Sequence, residues 1–290
     1  MENFFKHFFG AGDPADGYEF RNFSIAHFLP IIIAIGVIFL VYKFRGKIAS
    51  VKGEEKIRLG LALTLIITEM SYFWRLVGVP SLNANPYEHL PITVCGWVII
   101  FGSFMLTTKN KTLFDICYFW VFAGTIFALI TPTVINYAGP TRFRFYQFWL
   151  EHLLGYLAVF YMIFVHKMRP SIKSIFKAYA FLAVLGFVAI FANNLLAGYP
   201  EFDPELYDAP NYLFMAKGEA QSPILEILPS NYVVRVIVMG AVVALLFFIS
   251  YLPWLIMDIR AKKRLAAQTV DEADDDTPTP VSEKAEETVN

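Results

Sequence analysis

The feature that most constrains this chain is a recurrence of long apolar runs, at about 25–42, 57–79, 90–107, 114–136, 145–166, 175–199 and 233–257. A hydrocarbon core about 30 Å thick is crossed by about 20 helical residues rising 1.5 Å each. The run at 90–107 is the shortest of the set. Hydrocarbon offers the backbone no hydrogen bonds, so runs of this kind cross as helices. The sequence therefore predicts an all-α fold: a polytopic membrane protein whose seven-transmembrane-helix bundle occupies 25–264. With 57% hydrophobic and 17% charged residues, against about 25% charged in soluble domains, the polar stretches between runs are too short for a soluble catalytic domain. Any chemistry belongs among the helices or at their ends.

Basic residues give the orientation. Sixteen lie at the ends of alternate runs: Lys43, Arg45, Lys47, Lys52, Lys56 and Arg58, then Lys109 and Lys111, then Lys167, Arg169, Lys173 and Lys177, then Arg260, Lys262, Lys263 and Arg264. The other side carries five, Lys6, Arg21, Arg142, Arg144 and Lys217. This places the N-terminus outside and the C-terminus in the cytoplasm of a multi-pass cell-membrane protein. Acids before the first run (Asp13, Asp16, Glu19) and bases after it reverse the charge order of a signal peptide. Residues 1–24 read as an interfacial segment, because Phe4, Phe5, Phe8 and Phe9 share one helical face. Residues 200–232 read as a long acidic outer loop. The tail at 265–290 carries eight acids against Lys284 and reads as a disordered cytoplasmic tail. Basic residues are scattered over loop ends, so nucleic acid is not an expected partner.

Ionisable groups in a span are costly and turn to the bundle interior. Here they gather at one depth. Glu69 and Arg75 lie in the outer half of the second span, and His27 at the outer start of the first. Cys95 falls about five residues, roughly 8 Å, into the third span, and His152 about seven residues, roughly 10 Å, into the fifth. Asn136, Asn193, Asn194 and Arg235 mark the outer ends of the fourth, sixth and seventh spans. The inner halves hold little beyond Asp115 and Cys117. The pattern implies a polar cavity in the outer half of the bundle, or else polar contacts between helices. A cysteine beside a histidine can act as a thiolate nucleophile. One Cys and scattered His residues do not form a metal-ligand set. Cys95 and Cys117 are about 17 Å apart in depth and should not pair. Glu69 needs a partner, with Arg75 or His152 the candidates. His89 and His166 read as interfacial anchors.

Four segments resemble the YwaF-type bacterial membrane proteins, which group with the transmembrane-protein-164 acyltransferases. They are Leu90-Pro91-Ile92-Thr93-Val94-Cys95, Ile130-Thr131-Pro132, Phe143-Arg144-Phe145-Tyr146-Gln147-Phe148-Trp149-Leu150-Glu151-His152 and Asn211-Tyr212-Leu213-Phe214. The resemblance covers about residues 1–260. It implies transfer of an acyl chain between phospholipids, with Cys95 and His152 as the catalytic pair. Where the family has a histidine two residues before the cysteine, this chain has Thr93.

Two functions fit. In the first, Cys95 forms an acyl thioester with a chain taken from a membrane phospholipid, and His152 is the base. Glu69 or Glu151 would orient the histidine, and an amide such as Asn136 would hold the oxyanion. No cofactor is needed. His27, Arg75, Asn193, Asn194, Asn211 and Arg235 complete the supporting polar cluster. In the second, the cavity binds without catalysis, as in a small-solute transporter or a lipid-binding sensor. The inner half lacks the polar path that transport needs.

Overall fold

The computed structural model describes residues 2–132, 135, 137–197, 210–215 and 227–275. Within these residues the chain is helical, with no strand. The elements are α1 (Glu2–Phe9), α2 (Ile25–Ser50), α3 (Glu54–Gly78), α4 (Val94–Thr108), α5 (Lys111–Trp120), α6 (Ile126–Ile130), α7 (Phe143–Phe164), α8 (Ile172–Ala197) and α9 (Tyr232–Asp275). A π-turn at Val121–Thr125 joins α5 to α6, making one rod of 20 residues.

Six of these helices are long and apolar enough to cross a membrane: α2, α3, the α5–α6 rod, α7, α8 and α9. The run expected at 90–107 forms α4, which has only 15 residues. At 1.5 Å per residue that is about 22 Å, short of a full core of about 30 Å. Its beginning explains the shortness. Two 3-10 turns, Pro80–Leu82 and Pro86–Glu88, carry the chain from α3 to Thr93, the N-cap of α4. The run expected at 114–136 also ends early, at Ile130, because Thr131-Pro132 cannot continue a helix.

Helix ends are set by local chemistry. Lys109 closes α4 in a left-handed conformation and returns its N–H to Met105 at 2.8 Å. Asn110 then caps α5, its side chain accepting from the N–H groups of Thr112 (2.8 Å) and Leu113 (3.1 Å). The core lies where α4, α5 and α7 meet. Ile99, Met105, Leu106, Phe114, Phe119, Val159 and Met162 are completely buried there. By contrast α2 buries only His27 along 26 residues, and its apolar surface faces outward, as a lipid-facing helix requires.

The chain divides into two compact units, Met1–Tyr251 and Leu252–Asn290. In the second, helix continues to Asp275. Its residues from Leu265 to Asp275, expected to be disordered, are therefore helical, and 276–290 lie outside the described residues. In the first unit the expected N-terminal helix forms as α1, and it is docked rather than free. Phe9 packs on Phe143 (ring centroids 5.2 Å). Arg142 donates to the carbonyl of His7 at 2.6 Å, and Arg75 donates to those of Phe9 and Gly10 at 2.7 and 2.8 Å. Cations at the carbonyl end of a helix satisfy orphan acceptors and oppose the negative end of its dipole.

Candidate functional site

The site is built on the first turn of α4. Thr93, in place of the histidine of the resembled pattern, caps that turn: its hydroxyl accepts the N–H of Gly96 at 3.1 Å. Cys95 sits two residues past the cap, half-buried and free of any disulfide. Two close approaches fix this turn. A Cβ at Gly96 would lie 2.6 Å from Oε1 of Glu69, so the missing side chain admits the buried Glu69 carboxyl to the N-terminal end of α4, where the helix dipole favours negative charge. A Cβ at Gly124 would lie 2.5 Å from Cγ1 of Val94. Gly124 belongs to the π-turn, whose extra residue frees backbone carbonyls. Val121 O is taken up by the hydroxyls of Tyr156 (2.8 Å) and Thr125 (2.6 Å).

The opposite wall is one face of α7, bearing Arg144, Gln147, Phe148, Glu151 and His152 at helical spacing. His152 is 5% exposed. Its Nδ1 lies 2.7 Å from the carbonyl oxygen of Phe148, one turn earlier. A carbonyl can only accept, so Nδ1 carries the proton and Nε2 keeps its lone pair. Gln147 donates to Glu151 at 2.9 Å and accepts from Arg144, and Arg144 and Glu151 stand 3.6 Å apart. The Arg144 guanidinium also lies 4.8 Å from the centroid of the Tyr72 ring.

The third wall is the segment 210–215. Asn193 of α8 grips Tyr212 by its main chain, accepting its N–H at 2.8 Å and donating to its C=O at 3.1 Å. The Tyr212 hydroxyl donates to the carbonyl of Tyr87 and accepts the N–H of Leu90 at 3.0 Å. Burial raises the pKa of this phenol above its ordinary value, which keeps the donor in place. Leu213 and Phe214 both adopt left-handed backbone conformations (φ 55° and 57°), strain that the anchored Tyr212 holds. His89, beside this segment, meets the Tyr72 hydroxyl at 2.9 Å.

These walls enclose a cavity of about 1020 Å³. Cys95, His152, Glu151, Arg144, Glu88 and Asn211 form its polar part. Most of the remainder is apolar, closed by α8 (Leu182, Gly186, Phe187) and α9 (Met239, Val243, Phe247). Tyr179 links those two helices within it, its hydroxyl donating to the Gly240 carbonyl at 3.1 Å and its ring meeting that of Phe247 (centroids 6.3 Å).

Of the residues singled out from sequence, the structure brings Cys95, His152, Glu151 and Asn211 to this cavity. Glu69 stands behind the first turn of α4. Arg75 is not its partner, being turned to α1. His27 is a staple: Nδ1 accepts the N–H of Phe23 at 2.9 Å, and Nε2 donates to Leu129 O at 2.7 Å. Asn193 positions Tyr212, Asn194 bonds back to Ile190 of its own helix, and Arg235 donates to Pro229 O. Asn136 lies outside the described residues. Sequence reasoning missed Arg144, Gln147 and Tyr212 as parts of the site. The first two share the face of Glu151 and His152, and that spacing could have revealed them.

No curated protein and no solved structure matches the chain at a significant level. A family model does, the TMEM164 family, over residues 22–251. That stretch contains every wall of the cavity, and the chain belongs to the TMEM164 family.

Proposed function

We propose that this protein is a membrane-embedded acyltransferase that moves a fatty acyl chain from a phospholipid to an acceptor hydroxyl through a thioester on Cys95, with His152 as general base. The observation that carries the reading is that a cysteine and a histidine with an available Nε2 line one large, mostly apolar cavity. Cys95 Sγ attacks the ester carbonyl, and Nε2 of His152 takes the thiol proton. The tetrahedral intermediate collapses, and the departing lipid alkoxide takes that proton back. An acceptor hydroxyl then gives its proton to Nε2 and attacks the thioester, and the cysteine leaves and is reprotonated. The N–H groups of Val94 and Cys95, first-turn donors that no i−4 carbonyl can engage, are suited to hold the oxyanion. The apolar wall of α8 and α9 suits the acyl chain.

The finer topology belongs to the same proposal. α4 acts as a seventh, shortened span, the site opens to the outer leaflet of the cell membrane, and the basic asymmetry sets the C-terminus in the cytoplasm. Reporter fusions after Gly53 and Ser171 then read cytoplasmic and one after Glu205 external. The catalytic test is reconstitution with a phospholipid carrying an isotope-labelled acyl chain and an unlabelled lysophospholipid. Label should move to the acceptor, and intact-protein mass spectrometry should find an acyl adduct at Cys95. Absence of both transfer and adduct overturns the reading.

A further inference from the structure

The acyl-transfer chemistry uses Cys95 and His152 but leaves Arg144, the one lysine or arginine lining the cavity among the described residues, without a role. Arg144 lies in the first turn of α7, eight residues before His152, which is about 12 Å along the helix. Its hydrogen bond to Gln147 and its approach to Glu151 both run through Nη1. Among the described residues Nε and Nη2 make no hydrogen bond, and Arg144 lines the cavity. The rings of Tyr72 and Phe148, 4.8 and 5.9 Å from the guanidinium carbon, fix its plane. The result is a pre-oriented two-donor fork at the polar end of an apolar cavity, the geometry that takes a phosphate bidentately.

We infer that Arg144 binds the phosphate of the donor phospholipid through Nε and Nη2, and so sets which ester bond meets Cys95. Glu151 and Gln147 hold the guanidinium from the other side. The inference rests on the acyl-transfer reading for its kinetic consequence, but not for its binding consequence.

Two measurements on the full-length protein in detergent test it. In the first, acyl loading of Cys95 is followed from a phospholipid donor and from a phosphate-free donor, diacylglycerol. Arg144→Gln should lower kcat/KM for the phospholipid on the order of tenfold to a hundredfold, the scale of a lost charge-assisted contact. It should lower loading from diacylglycerol far less, and Arg144→Lys should lie between. In the second, thermal stabilisation is measured with lysophospholipid, monoacylglycerol and inorganic phosphate. Only lysophospholipid should stabilise the wild type, and Arg144→Gln should abolish that shift. An equal loss with both donors makes Arg144 a structural residue and overturns the inference, as does equal stabilisation of wild type and variant. Stabilisation by inorganic phosphate alone also overturns it, marking a generic anion site. If neither donor loads the wild type, the acyl-transfer reading fails, and the stabilisation series still decides the role of Arg144. The double variant Arg144→Gln/Glu151→Gln, which also removes the carboxylate that Arg144 faces at 3.6 Å, serves if the single variant does not fold.

Discussion

Nδ1 of His152 donates to the carbonyl oxygen of Phe148 across 2.7 Å of the same helix. That contact fixes the tautomer without any carboxylate. Glu151, the next residue, instead faces Gln147 and Arg144. His152→Ala should therefore cost acyl transfer about 10²–10⁴-fold, the range of a general base. Glu151→Gln should cost much less, because the histidine keeps its orienting bond. Cys95→Ala should remove transfer and the acyl adduct altogether while changing stability by less than about 1 kcal/mol, since the thiol is half-buried against the cavity. Equal losses for Glu151→Gln and His152→Ala in the labelled-lipid assay would show that the carboxylate, not the backbone, orients the base.

Gly124 and Val94 form a steric pair. The missing Cβ of Gly124 leaves room for Val94 Cγ1, 2.5 Å from where that Cβ would stand. Valine is stiff at χ1, so Gly124→Ala should push the first turn of α4 away from the π-turn, and Cys95 with it. A loss of about 1–3 kcal/mol is expected, with slower acyl loading. Val94→Ala removes the offending methyl, so the double variant should recover most of the stability. A coupling energy near zero in that cycle, measured by thermal unfolding in detergent, would mean that the two residues do not press on each other.

The membrane class is legible because hydrocarbon imposes a length and a polarity on each crossing, and six of the apolar runs fold as helices that meet them. Counted from the ends of their apolar runs Cys95 and His152 have similar depth, but the helices begin elsewhere: Cys95 is the second residue of α4 and His152 the tenth of α7, and it is the cavity lining that brings them together. What could not be read was partnership. A buried Glu69 calls for a partner, with Arg75 or His152 the candidates, but the acceptors of Arg75 are the main-chain carbonyls of Phe9 and Gly10, 66 and 65 residues earlier in the chain. Main-chain acceptors carry no sequence signature. The π-turn was hidden for a similar reason: an unbroken apolar run shows no insertion. The shortness of α4 was masked because Leu90-Pro91-Ile92 extends its apolar run while folding as a non-helical lead-in. Arg144 reads from sequence as one of the outer basic residues, yet it lies in the first turn of α7 and lines the cavity.

Asn193 holds both main-chain polar groups of Tyr212. Asn193→Ala strands a buried N–H and a buried C=O, each costing about 1–3 kcal/mol if unsatisfied. The strain at Leu213 and Phe214 would then relax, and the wall at 210–215 would open. Expected outcomes are a lower melting temperature and faster amide exchange confined to 210–215. Asn193→Asp, which keeps the acceptor and loses the donor, should fall between. Unchanged exchange in Asn193→Ala would show that Tyr212 is held by its hydroxyl bonds to Tyr87 and Leu90 alone.

The last prediction concerns pH. His89 lies in the loop before α4, and burial lowers its proton affinity, with the positive charges of Arg144 and then Arg75 adding to the effect. Its pKa in the folded protein therefore lies below the ordinary 6.5. Between those two values the unfolded chain binds more protons than the folded one, so stability rises with pH across that window. The contribution is complete above pH 6.5 and is lost as pH falls through the folded value. Protonation also makes Nδ1 a donor only, so that its contact with the Tyr72 hydroxyl, 2.9 Å away, can run in one direction alone. Melting temperatures from pH 8 down to about pH 5, the range in which histidine changes charge, should decline below neutrality in the wild type and decline less in His89→Gln. The difference between the two curves isolates this group from the other acids and bases of the chain. A difference curve that is flat, or that rises as pH falls, would refute the assignment of His89 as a ring held neutral by its surroundings.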